Sequence, residues 1–115
     1  KCRAVRAEGP LMSTTENIER GIAYLDSIDP EWRSRVDLDT LDMAQEQHDV
    51  LAQVTGLSFY DAVTAALLSS ADSWSDVQLR WAVEHGFALP YIPDEFENRR
   101  AWHDLNKAWR AEVQR

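Results

Sequence analysis

The sequence predicts a mainly α fold, a single-domain bundle of five or six short helices. Three observations support this prediction. Apolar residues recur at helical spacing, capping signals precede several of these stretches, and no segment alternates polar and apolar residues for long enough to form a clear strand. At 115 residues, the chain has the size of one domain around one hydrophobic core.

The first helices are predicted from their start signals. A capping box opens at Ser13, and an apolar stripe with helical spacing follows it, which predicts a helix over about 14–27. Asp29 and Pro30 then have the residue types of an N-cap and a first helical position, because proline there loses no needed hydrogen bond. A short helix running to residue 36 should follow.

The middle of the chain predicts a connector and then another helix. Asp and Thr compete for backbone hydrogen bonds over residues 37–42, which favours an irregular connection over a strand. The apolar residues of this connector are expected to point inward: Leu38, Leu41 and Met43. A helix is predicted over 44–55, with Gly56 as its left-handed C-cap.

Further helices are predicted in the second half. Ser58 and Ser73 each open a capping box, and the helix after Ser73 should end at Gly86. Proline residues favour an extended chain over 87–93. Asp94 should cap a long final helix.

The domain prediction assigns residues 1–12 to a flexible tail or extension and residues 13–115 to a single helical domain. The chain has one cysteine, Cys2, so an intramolecular disulfide is excluded. No apolar run approaches the roughly 20 residues that cross a bilayer. We therefore expect a protein that does not enter the membrane.

The charge is concentrated in the middle of the chain. The net charge is -8, and residues 37–79 contain eight carboxylates with no Lys or Arg, whereas the flanking segments are balanced. These carboxylates are either solvated helix caps or one acidic surface that attracts cationic partners and repels nucleic acid. The candidate partner-binding carboxylates are Asp37, Asp39, Asp42, Glu46 and Asp49.

Five tryptophans are many for a chain of this size. Three have the helical apolar spacing typical of core residues: Trp81, Trp102 and Trp109. Trp32 and Trp74 lie in first turns, where an indole is often half exposed, and Tyr91 lies in the proline-bracketed segment. These last three are the candidate aromatic anchors of a partner interface.

The sequence contains no catalytic or cofactor motif. None of the three histidines has the spacing of a metal pair, no Gly-x-Ser-x-Gly elbow occurs, and isolated glycines cannot build a phosphate loop. We therefore expect a non-enzymatic protein with no metal or cofactor. A small metal-dependent enzyme is the alternative, and it requires His48 or His85 to share a pocket with at least two of Asp37, Asp39, Asp42 and Asp49.

Two segments, Gly21–Asp26 (Gly-Ile-Ala-Tyr-Leu-Asp) and Pro30–Met43 (Pro-Glu-Trp to Leu-Asp-Met), carry a family pattern. The pattern is a helix ending in Leu-Asp, a Pro-x-Trp segment and an Ile/Val-Asp-Leu-x-x-Leu-Asp turn. In these features the chain resembles a family of small proteins of unknown function encoded by actinobacteriophages.

The resemblance continues into the second half and covers about half of the chain. Asp49–Gly56 is similar to the family's Cys-Val-Leu-Gly-Gln-x-x-Gly helix, but Asp49 and Ala52 replace its cysteine and its first glycine, so any role of that cysteine is absent here. Glu84–Phe87 and Leu105–Arg110 are similar to its Gly-Phe element and its closing Trp-Arg helix. The resemblance implies an origin in a phage or prophage and no particular mechanism.

The leading hypothesis is a non-enzymatic phage accessory protein in the cytoplasm of the bacterial host. It would bind a host protein with a basic surface through the acidic middle and its aromatic neighbours, without direct contact to nucleic acid or membrane. Two alternatives besides an enzyme remain open: a virion or oligomeric component, and an inhibitor whose carboxylates imitate the phosphates of a nucleic acid. The sequence does not predict the oligomeric state.

Overall fold

The computed structural model describes residues 14–67 and 76–115. This part of the chain contains five α-helices, one 3-10 helix and no strand. In chain order the elements are α1 (Thr14–Ile28), the 3-10 helix (Trp32–Arg35), α2 (Val50–Thr55), α3 (Phe59–Ala66), α4 (Asp76–Glu84) and α5 (Glu95–Val113). The predicted mainly α fold is confirmed. The predicted tail, residues 1–12, lies outside the described residues.

Several predicted helix ends are confirmed by their capping contacts. The Ser58 side chain accepts a hydrogen bond from the Asp61 backbone N–H at the start of α3, and Asp94 accepts one from the Glu97 N–H at the start of α5. Gly56 ends α2 with a φ of 77°, a left-handed conformation that glycine adopts without strain. The capping boxes at Ser13 and Ser73 lie outside the part of the chain that the structure describes.

The predicted helix over 44–55 is wrong in its first half. Residues 43–49 form turns and bends, and α2 begins only at Val50. Asp42 explains the difference, because its Oδ1 accepts a hydrogen bond from the Ala44 N–H and its carbonyl accepts one from the Gln45 N–H. This turn uses the backbone groups that a helix would need.

The start of the second predicted helix is also different. Asp29 does not act as the N-cap of an α-helix, because its side chain accepts a hydrogen bond from the Glu31 N–H and its carbonyl accepts one from the Trp32 N–H. The result is a single 3-10 turn over Trp32–Arg35.

The core is built around aromatic side chains from three segments. Trp109 of α5 stacks on Phe87 with ring centroids 5.5 Å apart and meets Trp32 edge-to-face at 6.1 Å. Its indole N–H donates to the Gly86 carbonyl at 2.7 Å, so the buried polar group is satisfied. Trp109 is fully buried as predicted, whereas Trp81 and Trp102 are partly buried against the core.

Two glycines allow α1 to approach the turn after α4. A Cβ at Gly21 would collide with the His85 carbonyl oxygen and crowd the Trp109 ring. Gly86 has a φ of 73°, and a Cβ there would lie 2.9 Å from backbone atoms of Ile18. Both contacts place α1 directly against the turn that carries Phe87 into the core.

Candidate functional site

The five candidate partner-binding carboxylates lie on one irregular loop, residues 37–49, which we call the acidic loop. Two of its side chains, Leu41 and Met43, are buried in the core and fix the loop to the rest of the domain. Helix α5 also holds it, since the Arg110 guanidinium donates to the carbonyls of Leu38 and Leu41 at 2.7 and 2.8 Å. The inward orientation predicted for the apolar residues of the loop is confirmed for these two, and Leu38 packs partly buried against the same core.

The carboxylates of the acidic loop have different roles. Asp37 and Asp42 accept hydrogen bonds from backbone N–H groups of their own turns, and Asp42 also lies 3.3 Å from the Asn106 amide nitrogen. Asp39 and Glu46 are exposed, and within residues 14–67 and 76–115 neither carboxylate has a hydrogen bond or ion pair. Asp39 and Glu46 are therefore the exposed carboxylates of this loop that take no part in its own turns.

A groove of about 710 Å³ lies between the acidic loop and α5. It is lined by carboxylates from the loop and by cationic side chains from the helix, so its charge is balanced. The charged and titratable residues of its lining are Asp39, Asp42, His48, His103, Lys107 and Arg110. This groove does not concentrate negative charge.

A smaller cavity, of about 210 Å³, is lined by the second half of the acidic loop together with residues of α3, α4 and α5. Among the described residues of its lining, the charged ones are Glu46 and Asp49. The rest of the wall is largely apolar and aromatic and includes Met43, Phe59, Tyr60, Phe87, Leu89 and Trp102. We call this the Asp49 cavity, and it is the place where negative charge and aromatic surface meet.

Asp49 is not part of the exposed acidic surface, so its assignment as a surface contact is corrected. Asp49 is only 1% exposed to solvent. It is the N-cap of α2, and its Oδ1 accepts a hydrogen bond from the Ala52 N–H at 2.7 Å. Oδ2 is buried and has no hydrogen-bond partner among the described residues. Burial raises the pKa of Asp49 to about 7, opposed by the bond from Ala52.

The three candidate aromatic anchors have different outcomes. Trp32 is fully buried, so the expectation that it is half exposed is wrong; its ring packs on Trp109 and its N–H donates to Asp26 at 2.8 Å. Trp74 lies outside the described residues. Tyr91 is 86% exposed and lines another groove, of about 810 Å³, beside α4.

Sequence reasoning missed the aromatic wall of the Asp49 cavity. Phe59 and Tyr60 are adjacent, with ring centroids 5.4 Å apart and planes 73° apart. Phe59 is buried and Tyr60 is 46% exposed, so the pair spans the boundary between core and solvent. The sequence did contain a signal for this wall, since two aromatic residues follow the Ser58 cap directly. Neighbouring positions on a helix point in different directions, so one ring of such a pair is expected to face the core and the other the solvent.

The histidines are distributed over two regions. His85 stacks on Trp81 with ring centroids 4.2 Å apart, and its Nδ1 lies 2.8 Å from the Trp81 carbonyl oxygen. His48 lines the balanced groove together with Asp39 and Asp42. Among residues 14–67 and 76–115, no three His, Cys, Asp or Glu side chains are placed to hold a metal ion together.

Comparison of the chain with protein-family models, with curated proteins and with solved structures found no match. No helix in the described ranges has the length and apolar character needed to cross a membrane. The residues of the site itself are therefore the basis for a functional proposal.

Proposed function

We propose that this protein binds a partner protein with a basic surface through the acidic loop and the aromatic residues beside it. The observation that carries the proposal is that the carboxylates of Asp39 and Glu46 are exposed on one ordered loop and have no hydrogen bond or ion pair within the described part of the chain. Glu46 also lines the cavity beside the aromatic residues. Because the sequence resembles an actinobacteriophage family, we take the partner to be a protein of the bacterial host, met in the host cytoplasm.

The loop is preorganised for binding. The two Arg110 hydrogen bonds and the bond from the Met43 N–H to the Asn106 side chain at 2.5 Å hold its backbone against α5. A surface that is already ordered loses less conformational entropy when a partner binds. Carboxylates fixed in this way also raise the association rate with a cationic surface, an effect that falls with ionic strength.

The choice of residues for a test follows from the hydrogen bonds of the loop. Replacing Asp37 or Asp42 would remove turn contacts and change the loop itself. Asp39→Asn with Glu46→Gln removes two negative charges from exposed side chains and keeps their shape. Glu19→Gln with Glu97→Gln is the matched control, because both residues are exposed, belong to α1 and α5, and change the net charge equally.

The test is affinity capture from lysate of an actinobacterial host, with each protein quantified by mass spectrometry. We expect the D39N/E46Q protein to recover the wild-type partner at least about tenfold less well at low salt, since paired charges at an interface contribute about 1.4 kcal/mol or more when they are well placed. The E19Q/E97Q control should recover it normally. Equal recovery by both double variants would contradict the proposal.

A further inference from the structure

We infer that the turn formed by residues 44–49 opens when the Asp49 carboxyl loses its proton and closes again when the proton returns. The second half of the acidic loop is then a pH-sensitive element built into the fold. Three properties of the structure lead to it: the burial of the carboxyl, the exposure of the turn and the shortness of the helix that follows. The switch operates in the protein alone, so it does not depend on the proposed partner.

The Asp49 carboxyl lies where a proton is held more easily than a charge. Oδ1 accepts a hydrogen bond from the Ala52 N–H, whereas Oδ2 is buried and has no hydrogen-bond partner among the described residues. A neutral carboxyl tolerates such a site better than a carboxylate does, because burial penalises the charged form. This penalty raises the pKa of Asp49 to about 7, against the opposing effect of the bond from Ala52.

The surroundings of Asp49 offer its charged form no ion pair within the described part of the chain. The titratable residues that line the Asp49 cavity with it are Glu46 of the same loop and Tyr60 of α3. The described lining residues from α4, from residues 87–89 and from α5 are uncharged, and α2 contains no charged residue. His48 precedes Asp49 in the chain, but its side chain lines the balanced groove. The charge is therefore solvated only when the carboxyl reaches water.

The turn itself is able to rearrange without unpacking the core. Residues 44–48 are all exposed, so their movement uncovers little apolar surface. The bonds that close the turn are local, since the N–H groups of His48 and Asp49 both donate to the Gln45 carbonyl at 3.0 Å. Exposed residues and backbone hydrogen bonds near the solvent are typical of segments with a low free energy of local opening.

The helix after the turn sets the position of the hinge. Helix α2 has six residues, too few for an isolated helix to be stable in water, so it is maintained by the packing of its fully buried residues Val50 and Leu51. These two residues stay in the core when the turn opens. The hinge is therefore Asp49, where the exposed turn meets the buried helix. Opening breaks the bond from the Ala52 N–H to Asp49 Oδ1 and moves exposed Glu46.

The test is backbone hydrogen exchange of the full protein, measured by NMR at pH 5 and pH 7 and corrected for intrinsic exchange rates. The informative amides are those that the closed turn protects: His48, Asp49 and Ala52. Their opening equilibrium constant should rise roughly tenfold to fiftyfold between the two pH values, since the pKa of Asp49 is about 7 in the closed turn against an ordinary value of 3.8. An unchanged constant would overturn the inference.

Three substitutions assign the effect to one side chain. Asp49→Asn keeps an oxygen for the cap and removes the titrating proton, so its opening constants should not change with pH. His48→Gln and Glu46→Gln remove the neighbouring titratable side chains and should both keep the wild-type rise. A rise that persists in D49N, or one that disappears in H48Q or E46Q, would overturn the inference. Wild type, H48Q and E46Q decide the question even if D49N does not fold.

A core amide separates local opening from unfolding of the whole domain. Trp109 is fully buried in α5, so its amide exchanges when the core itself unfolds. At both pH values it should be protected at least about tenfold more strongly than the amide of Ala52. Equal protection of the two amides would show that the turn opens only together with the whole fold, which would overturn the inference.

Discussion

At the scale of single residues, the two oxygens of the Asp49 carboxyl group lie in different surroundings. Its Oδ1 satisfies the first turn of α2, a role that requires only a hydrogen-bond acceptor. Its Oδ2 is buried without a hydrogen-bond partner among the described residues, so a negative charge there is poorly solvated. The residue is therefore a cap whose charged form destabilises the fold.

The first prediction concerns the stability of the protein against pH. The folded-state pKa of Asp49, about 7, lies above its unfolded value, so the folded protein holds this proton more tightly. The contribution of Asp49 is complete below about pH 4 and is lost as the pH rises to about 7, at roughly 1.4 kcal/mol per pH unit at most. In urea unfolding, the free energy of unfolding of D49N should exceed that of wild type more at pH 8 than at pH 5.

A pH-independent difference between D49N and wild type would contradict this prediction. The comparison between the two proteins is needed because the contributions of all other groups cancel in the difference. D39N provides the matched control, since it removes an exposed carboxylate with no hydrogen bond in the described part of the chain.

At the scale of elements, α5 connects the core to the acidic loop. Its inner face buries Leu105 and Trp109, and the residue after Trp109 is Arg110, whose side chain reaches two carbonyls of the loop. The loop has little regular structure of its own, so these bonds and the buried residues beneath it determine its shape. Helix position and loop shape are therefore coupled.

The second prediction tests this coupling. Arg110→Met should leave the carbonyls of Leu38 and Leu41 without their donor and lower the free energy of unfolding by about 1–3 kcal/mol. Hydrogen exchange should become faster at backbone amides of the loop, Met43 in particular. Lys107→Met is the control, because it removes the same charge from an exposed position on the same helix. Equal exchange rates in the two variants would exclude the anchoring role of Arg110.

At the scale of the whole molecule, Trp109 joins parts of the chain that are far apart in sequence. It touches Phe87 and Trp32, donates to the Gly86 carbonyl and lies against Gly21. The loss of its contacts should therefore weaken the entire fold. Half-buried Trp102 on the same helix has no comparable set of core contacts among the described residues.

The third prediction follows from this position. Trp109→Phe should lower the free energy of unfolding by about 2–4 kcal/mol, because it creates a cavity and leaves a buried carbonyl unpaired. Trp102→Phe should have a clearly smaller effect. Thermal or chemical unfolding of both variants checks the order, and a larger loss for W102F would show that the core is centred elsewhere.

Much of the fold could be predicted because its signals are local. Capping residues such as Ser58 and Asp94 and the C-cap Gly56 act within a few positions of the chain, so sequence spacing reports them directly. The irregular connection over residues 37–42 was predicted from the sequence, but the turns over 43–49 were not, because they depend partly on contacts with α5 such as the bond from the Met43 N–H to the Asn106 side chain. The Asp49 cavity was also out of reach, because its walls come from separated segments and the burial of Asp49 is a tertiary property.

The same dependence on distant contacts limits how this chain can diverge. Gly86 lies against the backbone of Ile18, and Gly21 lies against the backbone carbonyl of His85, so neither position has room for even a methyl group. A related chain could exchange most of its surface and still fold, provided that both glycine positions stay without side chains. Two small residues far apart in an otherwise dissimilar sequence would then be the mark by which a remote relative of this protein is recognised.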